Sequence, residues 1–226
     1  MKLEKYISYL RLIPGIFRNR MYVRGVRVLR KNVFQGGKLI CSTKVFSSGK
    51  DNIIDLSALG GLLSGCVFHF LGSDNHVVVG SNCHLTDVDF WVEDNNNTIL
   101  IGDNCNMMGK TQLAVIEGTK IAIGNDCLFS STISFRTGDS HSILNLDGER
   151  INKSKDIRIG NHVWIGTQVL INKGVVVGDN CVVGNGSILT KPFTEQNVVL
   201  AGVPAKVVKR NITWDSRRLP FGGKKQ

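Results

Sequence analysis

The amino-acid sequence predicts an all-β fold built as a triangular solenoid, and two features of the chain carry that prediction. In five similar segments a large aliphatic residue is followed by glycine and, in four of the five, by cysteine three positions after the glycine. These segments begin at Val79, Ile101, Ile123, Ile159 and Val177. From Ile159 to Leu189 a large aliphatic residue stands at every sixth position. A period of six matches neither a helical face nor the alternation of an ordinary strand, whereas it fits short strands joined by corners.

Each side of the solenoid is predicted to be a short strand whose aliphatic side chain points inward. The corners need residues that accept a left-handed backbone, and the repeat supplies glycine, asparagine and aspartate there. Stacked coils then bury one continuous core and pair their backbones along the axis. The pattern divides the 226 residues into a basic N-terminal segment (1–50), the solenoid domain (51–205) with a degenerate first part, and a basic C-terminal tail (206–226).

Four of the six cysteines fall at one small interior position of the repeat. They are Cys83, Cys105, Cys127 and Cys181, and Val163 takes this position in the remaining copy. Free cysteine packs as a small hydrophobic residue, and the sequence holds no CxxC pair of the kind that binds zinc. We therefore predict stacked structural thiols rather than disulfides or a metal site.

Charge is distributed unevenly along the chain, although the total is only +10. Residues 1–50 carry a net charge of +11, residues 51–205 carry −7 and residues 206–226 carry +6. A basic N-terminus of this kind favours peripheral contact with an anionic membrane surface or an anionic polymer. A second interpretation is that residues 1–20, predicted to form a short helix broken near Pro14, cap the open end of the solenoid.

The sequence also indicates where the protein works. No apolar run is long enough to span a membrane, and the first 20 residues lack the small-residue cleavage site of a signal peptide. We therefore expect a cytoplasmic protein, and we expect no nucleic acid partner.

Three segments carry a resemblance to a known family: DSHSILNLDGERINKSKDIRIGNHVWIG, VVVGDNCVVGNGSILTK and LAGVPAKVVKRNITW. They resemble the left-handed parallel β-helix acyltransferases, especially the O-acetyltransferases of bacterial capsular and sialic-acid polysaccharides, over about residues 77–214. The resemblance implies a left-handed parallel β-helix with an extruded loop and a homotrimer with a donor groove between neighbouring subunits. It also implies acetyl-CoA as co-substrate, no permanently bound cofactor and a carbohydrate acceptor.

The six-residue period is regular from Ile123 to Ser140, fails over residues 141–156 and resumes at Ile157. Polar insertions that leave a rigid scaffold are loops, and such loops commonly carry function. His141 stands where the coil gives way to this loop. A neutral imidazole is suited to take the proton of an attacking sugar hydroxyl. In the resembling family the matching histidine is the general base.

An imidazole that acts as a base needs a partner on its other nitrogen. Asp139 is one candidate catalytic partner, and a backbone carbonyl would serve equally. Glu117, in the preceding coil, is a further carboxylate that could orient the base or bind the acceptor. Transfer would be direct, with backbone N–H groups stabilising the oxyanion and without a covalent serine or cysteine intermediate.

The resemblance also implies a binding surface for acetyl-CoA. Trp164 breaks the preference for small or polar residues at outward positions and is expected to form a wall beside acetyl-CoA or the acceptor sugar. Gly166 and Gly184 would let the pantetheine arm approach the backbone. The other residues expected to bind the donor are Thr167, Asn185, Thr190, Lys191, Lys206 and Lys209, the lysines by neutralising phosphate charge. Asn185 departs from the small residue often found at its position.

Rival functions differ in what they require of the sequence. A γ-class carbonic anhydrase needs three zinc-binding histidines, two of them five residues apart, whereas the histidine separations here are 7, 8, 57 and 21, so no metal is expected. The acceptor could instead be small: a nucleotide-sugar amine, a galactoside or maltoside, or serine. A non-catalytic β-helix scaffold is the alternative from another class. The joint occurrence of His141, Trp164 and Lys191 favours an enzyme, and the basic ends favour a polymeric acceptor.

Overall fold

All regular structure in the described residues is β-strand. The computed structural model describes residues 20–23, 26–29, 40–56 and 58–222. The strands are β1 (Arg20–Val23), β2 (Val26–Leu29), β3 (Ile40–Cys41), β4 (Lys44–Ser47), β5 (Asn52–Asp55), β6 (Leu62–Ser64), β7 (Val67–Phe70), β8 (His76–Val79), β9 (His84–Val92), β10 (Thr98–Ile101), β11 (Asn106–Val115), β12 (Lys120–Ile123), β13 (Leu128–Phe129), β14 (Ile133–Arg136), β15 (Ile157–Ile159), β16 (Trp164–Ile165), β17 (Leu170–Asn172), β18 (Val176–Val177), β19 (Val182–Val183), β20 (Ile188–Leu189), β21 (Val199–Gly202) and β22 (Ala205–Lys209).

The strands form three faces of a β-solenoid of about seven turns. Face A has the order β1-β2-β5-β8-β10-β12-β15-β18. Face B runs β3-β6-β9-β11-β13-β16-β19-β21-β22, and face C runs β4-β7-β9-β11-β14-β17-β20. The long strands β9 and β11 serve faces B and C in turn, because each bends round the corner between them, with a register shift between Met108 and Thr111.

One corner, between faces A and B, is built from residues in the left-handed backbone region. Their φ angles lie between 52° and 58°, and they are Asn82, Asn104, Asp126, His162, Asn180 and Asn197. Asparagine and aspartate accept this conformation more readily than other side chains do. Their side chains also join the coils, since Asn82 Nδ2 donates to Asn104 Oδ1 at 3.1 Å and Asn104 Nδ2 donates to Asp126 Oδ1 at 3.0 Å.

The interior is a column of stacked apolar side chains, as the repeat predicts. Phe68 and Phe90 stack with ring centroids 4.3 Å apart. The four cysteines of the repeat are buried and free, which confirms them as structural thiols. Each thiol donates to a carbonyl of the next coil, at 3.1 Å for both Cys83 and Cys105. Hydrogen bonding from Cys127 and burial raise the pKa of the Cys105 thiol to about 12.

A polar column lies inside the corner between faces C and A, here called corner C/A. Asn75 Nδ2 donates to Asn52 Oδ1 and Asn97 Nδ2 donates to Asn75 Oδ1, both at 3.0 Å. The column ends with Thr119, whose hydroxyl donates to Thr137 Oγ1 at 2.6 Å. Thr137 is fully buried, so the chain is fixed immediately before the residues that lead into the irregular loop.

Described strands on both sides of residues 51–205 join the β-helix. Strands β2, β3 and β4 pair in parallel with β5, β6 and β7, so the β-helix extends N-terminally of residue 51. Strand β22 pairs antiparallel with β21, so the sheet continues past residue 205. The predicted helix over residues 1–20 lies outside the described residues, apart from Arg20 in β1.

Candidate active site

The interruption of the repeat is a short hairpin that leaves the β-helix at corner C/A. We call residues 141–156 the hairpin loop. Leu144 and Arg150 form an antiparallel bridge, and Ile151 N donates to Ile143 O at 2.9 Å. Asn145 Oδ1 closes the tip by accepting from the backbone N–H of Glu149 at 2.8 Å. The loop therefore has its own hydrogen-bonded conformation and can hold a side chain in a defined place.

Asn152 is the hub of the loop's base, and its side chain is almost completely buried. Its Nδ2 donates to Asp139 Oδ2 at 2.8 Å and to the His141 carbonyl at 2.7 Å. Its Oδ1 accepts from Ile143 N at 2.9 Å and from Arg150 Nε at 3.0 Å. A single amide thus joins the last coil residues before the loop to both strands of the hairpin.

Two ion pairs attach the same loop to the coils on either side. Arg150 pairs with Glu117 in the preceding coil, and Ser154 Oγ donates to the same carboxylate at 2.7 Å. The hydrogen bond from Arg150, and to a smaller extent that from Ser154, holds the pKa of the Glu117 carboxyl below its usual range. Lys173, in the following coil, pairs with Asp139. Its ammonium and the Asn152 amide likewise lower the pKa of the Asp139 carboxyl.

His141 is exposed at the root of the loop. Among the described residues its imidazole has no hydrogen-bond partner, whereas its carbonyl is held by Asn152. The structure therefore positions the backbone of His141 and leaves the ring nitrogens accessible to a substrate. Asp139 lies two residues away, but its carboxylate is engaged by Asn152 and Lys173. The partner proposed for the imidazole stays a prediction, and so does the acceptor-binding role of Glu117.

Trp164 lies on face B, where its side chain is 41% exposed. The C-terminal segment folds back beside it. Trp214 stacks on His162 with ring centroids 4.2 Å apart and meets Trp164 at 6.1 Å. The indole N–H of Trp214 donates to the His162 carbonyl at 2.8 Å. A groove of about 390 Å³ runs next to Trp214, past His84 and Leu128.

The residues expected at the pantetheine arm lie on the next corner, between faces B and C. Asn185 Oδ1 accepts from Thr167 N at 3.0 Å. A Cβ on Gly166 would lie only 2.2 Å from that same oxygen. Glycine is therefore required here by the asparagine of the following coil, which occupies the space beside it. Gly184 has more room, since its nearest neighbour would be the Ala201 Cβ at 3.2 Å.

The remaining residues expected at the donor are exposed and fall into two pairs. Thr190 and Lys191 follow β20 at the end of face C, one coil beyond Lys173. The Lys191 ammonium lies 5.9 Å from the Phe193 ring centroid. Lys206 and Lys209 are on β22, at the edge of face B. The binding of the donor by these residues stays a prediction.

His141 and Trp164 lie on opposite sides of the coil. In the coil that follows the loop, β15 lies on face A, β16 on face B and β17 on face C. The hairpin loop and His141 leave from corner C/A, which is the vertex opposite face B and Trp164. One subunit therefore keeps these two residues apart, with the packed core between them.

Several residues of this region escaped the sequence analysis. Asn152 and Arg150 lie in the aperiodic insertion, where no repeat assigns a position to a side chain. Lys173 carried a usable signal, because the parallel register of Arg136 with Asn172 sets Lys173 one coil from the root of the loop. Trp214 lies beyond the last repeat, so the period could not assign it a neighbour.

Within the described ranges no group of three His, Cys, Asp or Glu side chains could hold a metal ion. The part of the chain that the structure describes also contains no helix that could cross a bilayer.

Comparison with known proteins identifies the class of protein that this fold and loop define. Residues 156–191 match the family model for bacterial transferase hexapeptide repeats (six repeats). The chain is 37% identical over 187 residues to the polysialic acid O-acetyltransferase of Neisseria meningitidis, covering 74% of this chain and 86% of that one.

Two crystal structures show the same architecture. The polySia-specific acetyltransferase NeuO superposes with a TM-score of 0.72 at 29% identity, over 89% of this chain and 84% of that one. The polysialic acid O-acetyltransferase OatWY superposes with a TM-score of 0.61 at 35% identity, over 76% and 92% of the two chains. The left-handed β-helix that the resemblance implies is confirmed.

The protein is therefore an acyltransferase of the hexapeptide-repeat class. More narrowly, the chain belongs to the polysaccharide O-acetyltransferase family that includes the meningococcal enzyme.

Proposed function

We propose that this protein transfers the acetyl group of acetyl-CoA to a hydroxyl of an acidic, sialic-acid-containing surface polysaccharide, with His141 as general base. The observation that carries the proposal is the environment of His141, whose backbone is fixed by Asn152 and whose exposed imidazole is left unpaired among the described residues. The names of the relatives support the donor group and the acceptor, since they are O-acetyltransferases of polysialic acid. Because acetyl-CoA is a cytoplasmic metabolite, the reaction is expected in the cytoplasm.

The reaction follows from the chemistry of the two substrates. The acceptor hydroxyl oxygen attacks the thioester carbonyl while the imidazole takes its proton. The tetrahedral oxyanion then collapses, the carbon–sulfur bond breaks, and the thiolate leaving group recovers the proton from the imidazolium. His141 alone takes up the hydroxyl proton and returns it to the leaving thiolate. The buried thiols of the repeat have no part in it, because each is enclosed in the core.

We further propose that the active unit is a homotrimer in which His141 of one subunit meets Trp164 of its neighbour. The opposite placement of these residues on the coil supports this arrangement. The hairpin loop supports it as well, because it exposes four large apolar side chains, Ile143, Leu144, Leu146 and Ile151. Exposed apolar groups of this kind mark surfaces that another molecule covers. Closed cyclic symmetry would then give three equivalent sites.

The acceptor is tested with labelled acetyl-CoA and a panel of glycans read by mass spectrometry. The panel contains oligosialic acid, neutral capsular oligosaccharides, and the small acceptors galactoside, maltose, serine and a nucleotide-sugar amine. The proposal expects acetyl groups on the sialic acid oligomer. Acetylation of a small acceptor alone would overturn the acceptor assignment. Absence of both transfer and coenzyme A binding would favour a non-catalytic scaffold.

The composite site is tested by mixing two inactive variants. His141→Ala is expected to lower turnover about 10²–10⁴-fold while the protein stays folded, and Trp164→Ala is expected to impair the same site from the other side. If each site takes one residue from each of two neighbours, coassembly in equal amounts restores about one quarter of wild-type activity, because a quarter of the sites receive both intact residues. Mixed trimers without recovered activity would overturn the shared site, and full activity of folded His141→Ala would overturn the base.

A further inference from the structure

A shallow depression on face C lies directly beside the root of the hairpin loop. Its lining includes Trp91, Glu93, Ala114, Arg136 and Ser140. Ser140 immediately precedes His141, so the depression adjoins the candidate base. The depression is shallow and open to solvent, so a sugar ring bound there would lie along the surface of face C. We call these five residues the face C depression.

The wall formed by Trp91 is held in place. Its indole N–H donates to Glu93 Oε1 at 2.6 Å, and the hydroxyl of Ser140 donates to the other oxygen of the same carboxylate at 3.5 Å. Glu93 therefore joins the indole to the residue before His141. On the side of the preceding coils, the ring of His69 lies 4.9 Å from the Trp91 indole, and Phe46 stacks on His69.

The aromatic row stops at Trp91 because the next residue in register is small. Trp91 pairs with Ala114, and Ala114 pairs with Arg136. Neighbouring strands lie about 4.8 Å apart, so Trp91 and Arg136 are separated by about 9–10 Å, with only a methyl group between them. The indole face that His69 does not cover thus borders an open gap, and a guanidinium stands on its far side.

Arg136 has the charge to attract an anion into this gap. Its side chain is exposed, and no ion pair or hydrogen bond engages it among the residues that the structure describes. Arg150 and Lys173, at the loop and its root, differ from Arg136 because they are committed to Glu117 and Asp139. A guanidinium can bind a carboxylate through two parallel hydrogen bonds, and an indole offers an apolar surface to the face of a ring.

We propose that the face C depression is the acceptor subsite and that it binds one acidic sugar residue, with its ring over Ala114 against Trp91 and its carboxylate on Arg136. This inference rests on the proposed function, since it assigns the acceptor of the same reaction. Glu93 acts as a positioning residue that fixes the indole. The subsite presents the bound sugar to His141 through the short connection at Ser140.

The test compares Arg136→Gln with wild type on two acceptors that differ only in charge. One is oligosialic acid, and the other is the same oligomer with its carboxylates converted to methyl amides. For the variant we expect KM for the acidic oligomer to rise about ten- to hundredfold, the range expected for a lost charge-assisted hydrogen bond. The KM for acetyl-CoA should stay unchanged, and the amide should serve variant and wild type equally poorly. Arg158→Gln is the matched control, because Arg158 is an exposed arginine on face A.

A second variant tests the space rather than the charge. Ala114→Leu keeps Arg136 but fills the gap in front of the indole. We expect it to raise the acceptor KM while leaving coenzyme A binding and the melting temperature near wild type. Equal KM values for wild type, Arg136→Gln and Ala114→Leu on the acidic oligomer would overturn the subsite, even if wild type acetylates that oligomer well. Wild type that acetylates no sialic acid oligomer would instead overturn the proposed function.

Discussion

At the scale of single residues, position 152 needs a side chain that is both a hydrogen-bond donor and an acceptor, and no side chain other than asparagine meets this need there. Its Nδ2 faces two acceptors, the Asp139 carboxylate and the His141 carbonyl, while its Oδ1 faces two donors. An amide supplies both polarities in one plane, whereas a carboxylate supplies only acceptors. Because these contacts hold the backbone of the candidate base, Asn152 should affect the reaction without touching a substrate.

We predict that Asn152→Asp lowers kcat about ten- to hundredfold, because it sets an oxygen against Asp139 and His141 O at the cost of a buried, unmade hydrogen bond. The KM for acetyl-CoA should not change, since the hydrogen bonds of Asn152 reach none of the residues proposed to bind the donor. Steady-state kinetics with each substrate varied in turn would separate the two constants. Lys153→Ala, at an exposed neighbouring position, is the control and should behave as wild type. A folded Asn152→Asp protein with wild-type kcat would contradict the role.

Sequence reasoning succeeded where the period assigns a position and failed where it does not. The repeat correctly predicted the buried thiols, since every sixth residue must point inward. It also predicted where the coil opens, at His141. The register sets Lys173 near the root of the loop, but it does not specify which side chains pair there, so the contact of Asp139 with Lys173 was missed. The donor-binding role of Asn185 stays a prediction, and the structure adds that its amide forms a corner hydrogen bond between coils.

At the scale of elements, the stacked thiols illustrate how a repeat protects a reactive group. Cys83, Cys105, Cys127 and Cys181 lie in one column, and each donates to a carbonyl of a neighbouring coil. The next thiol of the column, followed by burial, raises the pKa of the Cys83 and Cys105 thiols, and burial raises the pKa of the Cys181 thiol. The thiolate is the reactive form, so both access and ionisation are suppressed together.

We therefore predict that a thiol reagent labels these four cysteines only as fast as the β-helix unfolds. Labelling followed by mass spectrometry, with and without denaturant, would report the rate at each site. The reaction should accelerate sharply across the unfolding transition, and reductant should leave the activity unchanged. Rapid modification of all four in the native protein would show that the interior register of the repeat is different.

The hairpin loop is an element whose attachment should depend on pH. The hydrogen bond from Arg150 lowers the pKa of the Glu117 carboxyl in the folded chain, and the hydrogen bond from Ser154 lowers it further. A carboxyl with a lowered folded-state pKa stabilises the fold at pH values above its unfolded-state pKa, and this contribution disappears as the pH falls through the folded-state value. The ion pair should therefore hold the loop at neutral pH and release it in acid.

We predict that Arg150→Gln lowers the free energy of unfolding at pH 7 and that its difference from wild type disappears as the pH is lowered through the folded-state pKa of Glu117. Urea titrations in steps between neutral and acidic pH would measure this difference. Arg210→Gln gives a comparison, because Arg210 pairs with Glu195 away from the loop. A difference that stays constant across the pH range would mean that Arg150 acts through packing alone.

At the scale of the whole molecule, the solenoid has two ends, and each must avoid an exposed edge. Strand β22 turns antiparallel at the C-terminal end and Trp214 packs back on the coils. At the other end β1 pairs only with β2 among the described strands, so face A ends on β1. Open sheet edges promote association, and end coils of repeat proteins generally need a cap.

The last prediction concerns residues 1–19, which precede β1 and carry a net charge of +3, from four basic residues and Glu4. We predict that they cap the first coil, because their scattered aliphatic residues could cover apolar side chains that the coil would otherwise expose. Deleting residues 1–19 should then lower the melting temperature and promote aggregation. The deletion should leave unchanged the KM for acetyl-CoA and the KM for any short neutral acceptor that the wild-type enzyme uses. Differential scanning calorimetry and light scattering measure the first two effects.

Recruitment of an anionic polymer or membrane would leave a different signature in the same deletion. Stability would be retained, and the use of long acidic acceptors would weaken by an amount that shrinks as added salt screens the charges. Substituting Lys2, Lys5, Arg11 and Arg18 by glutamine in the full-length chain separates charge from packing, because the aliphatic residues stay in place. If the segment is a cap, these substitutions keep the melting temperature that the deletion loses. A deletion with unchanged stability would contradict capping, and salt-insensitive use of the polymer would contradict recruitment as well.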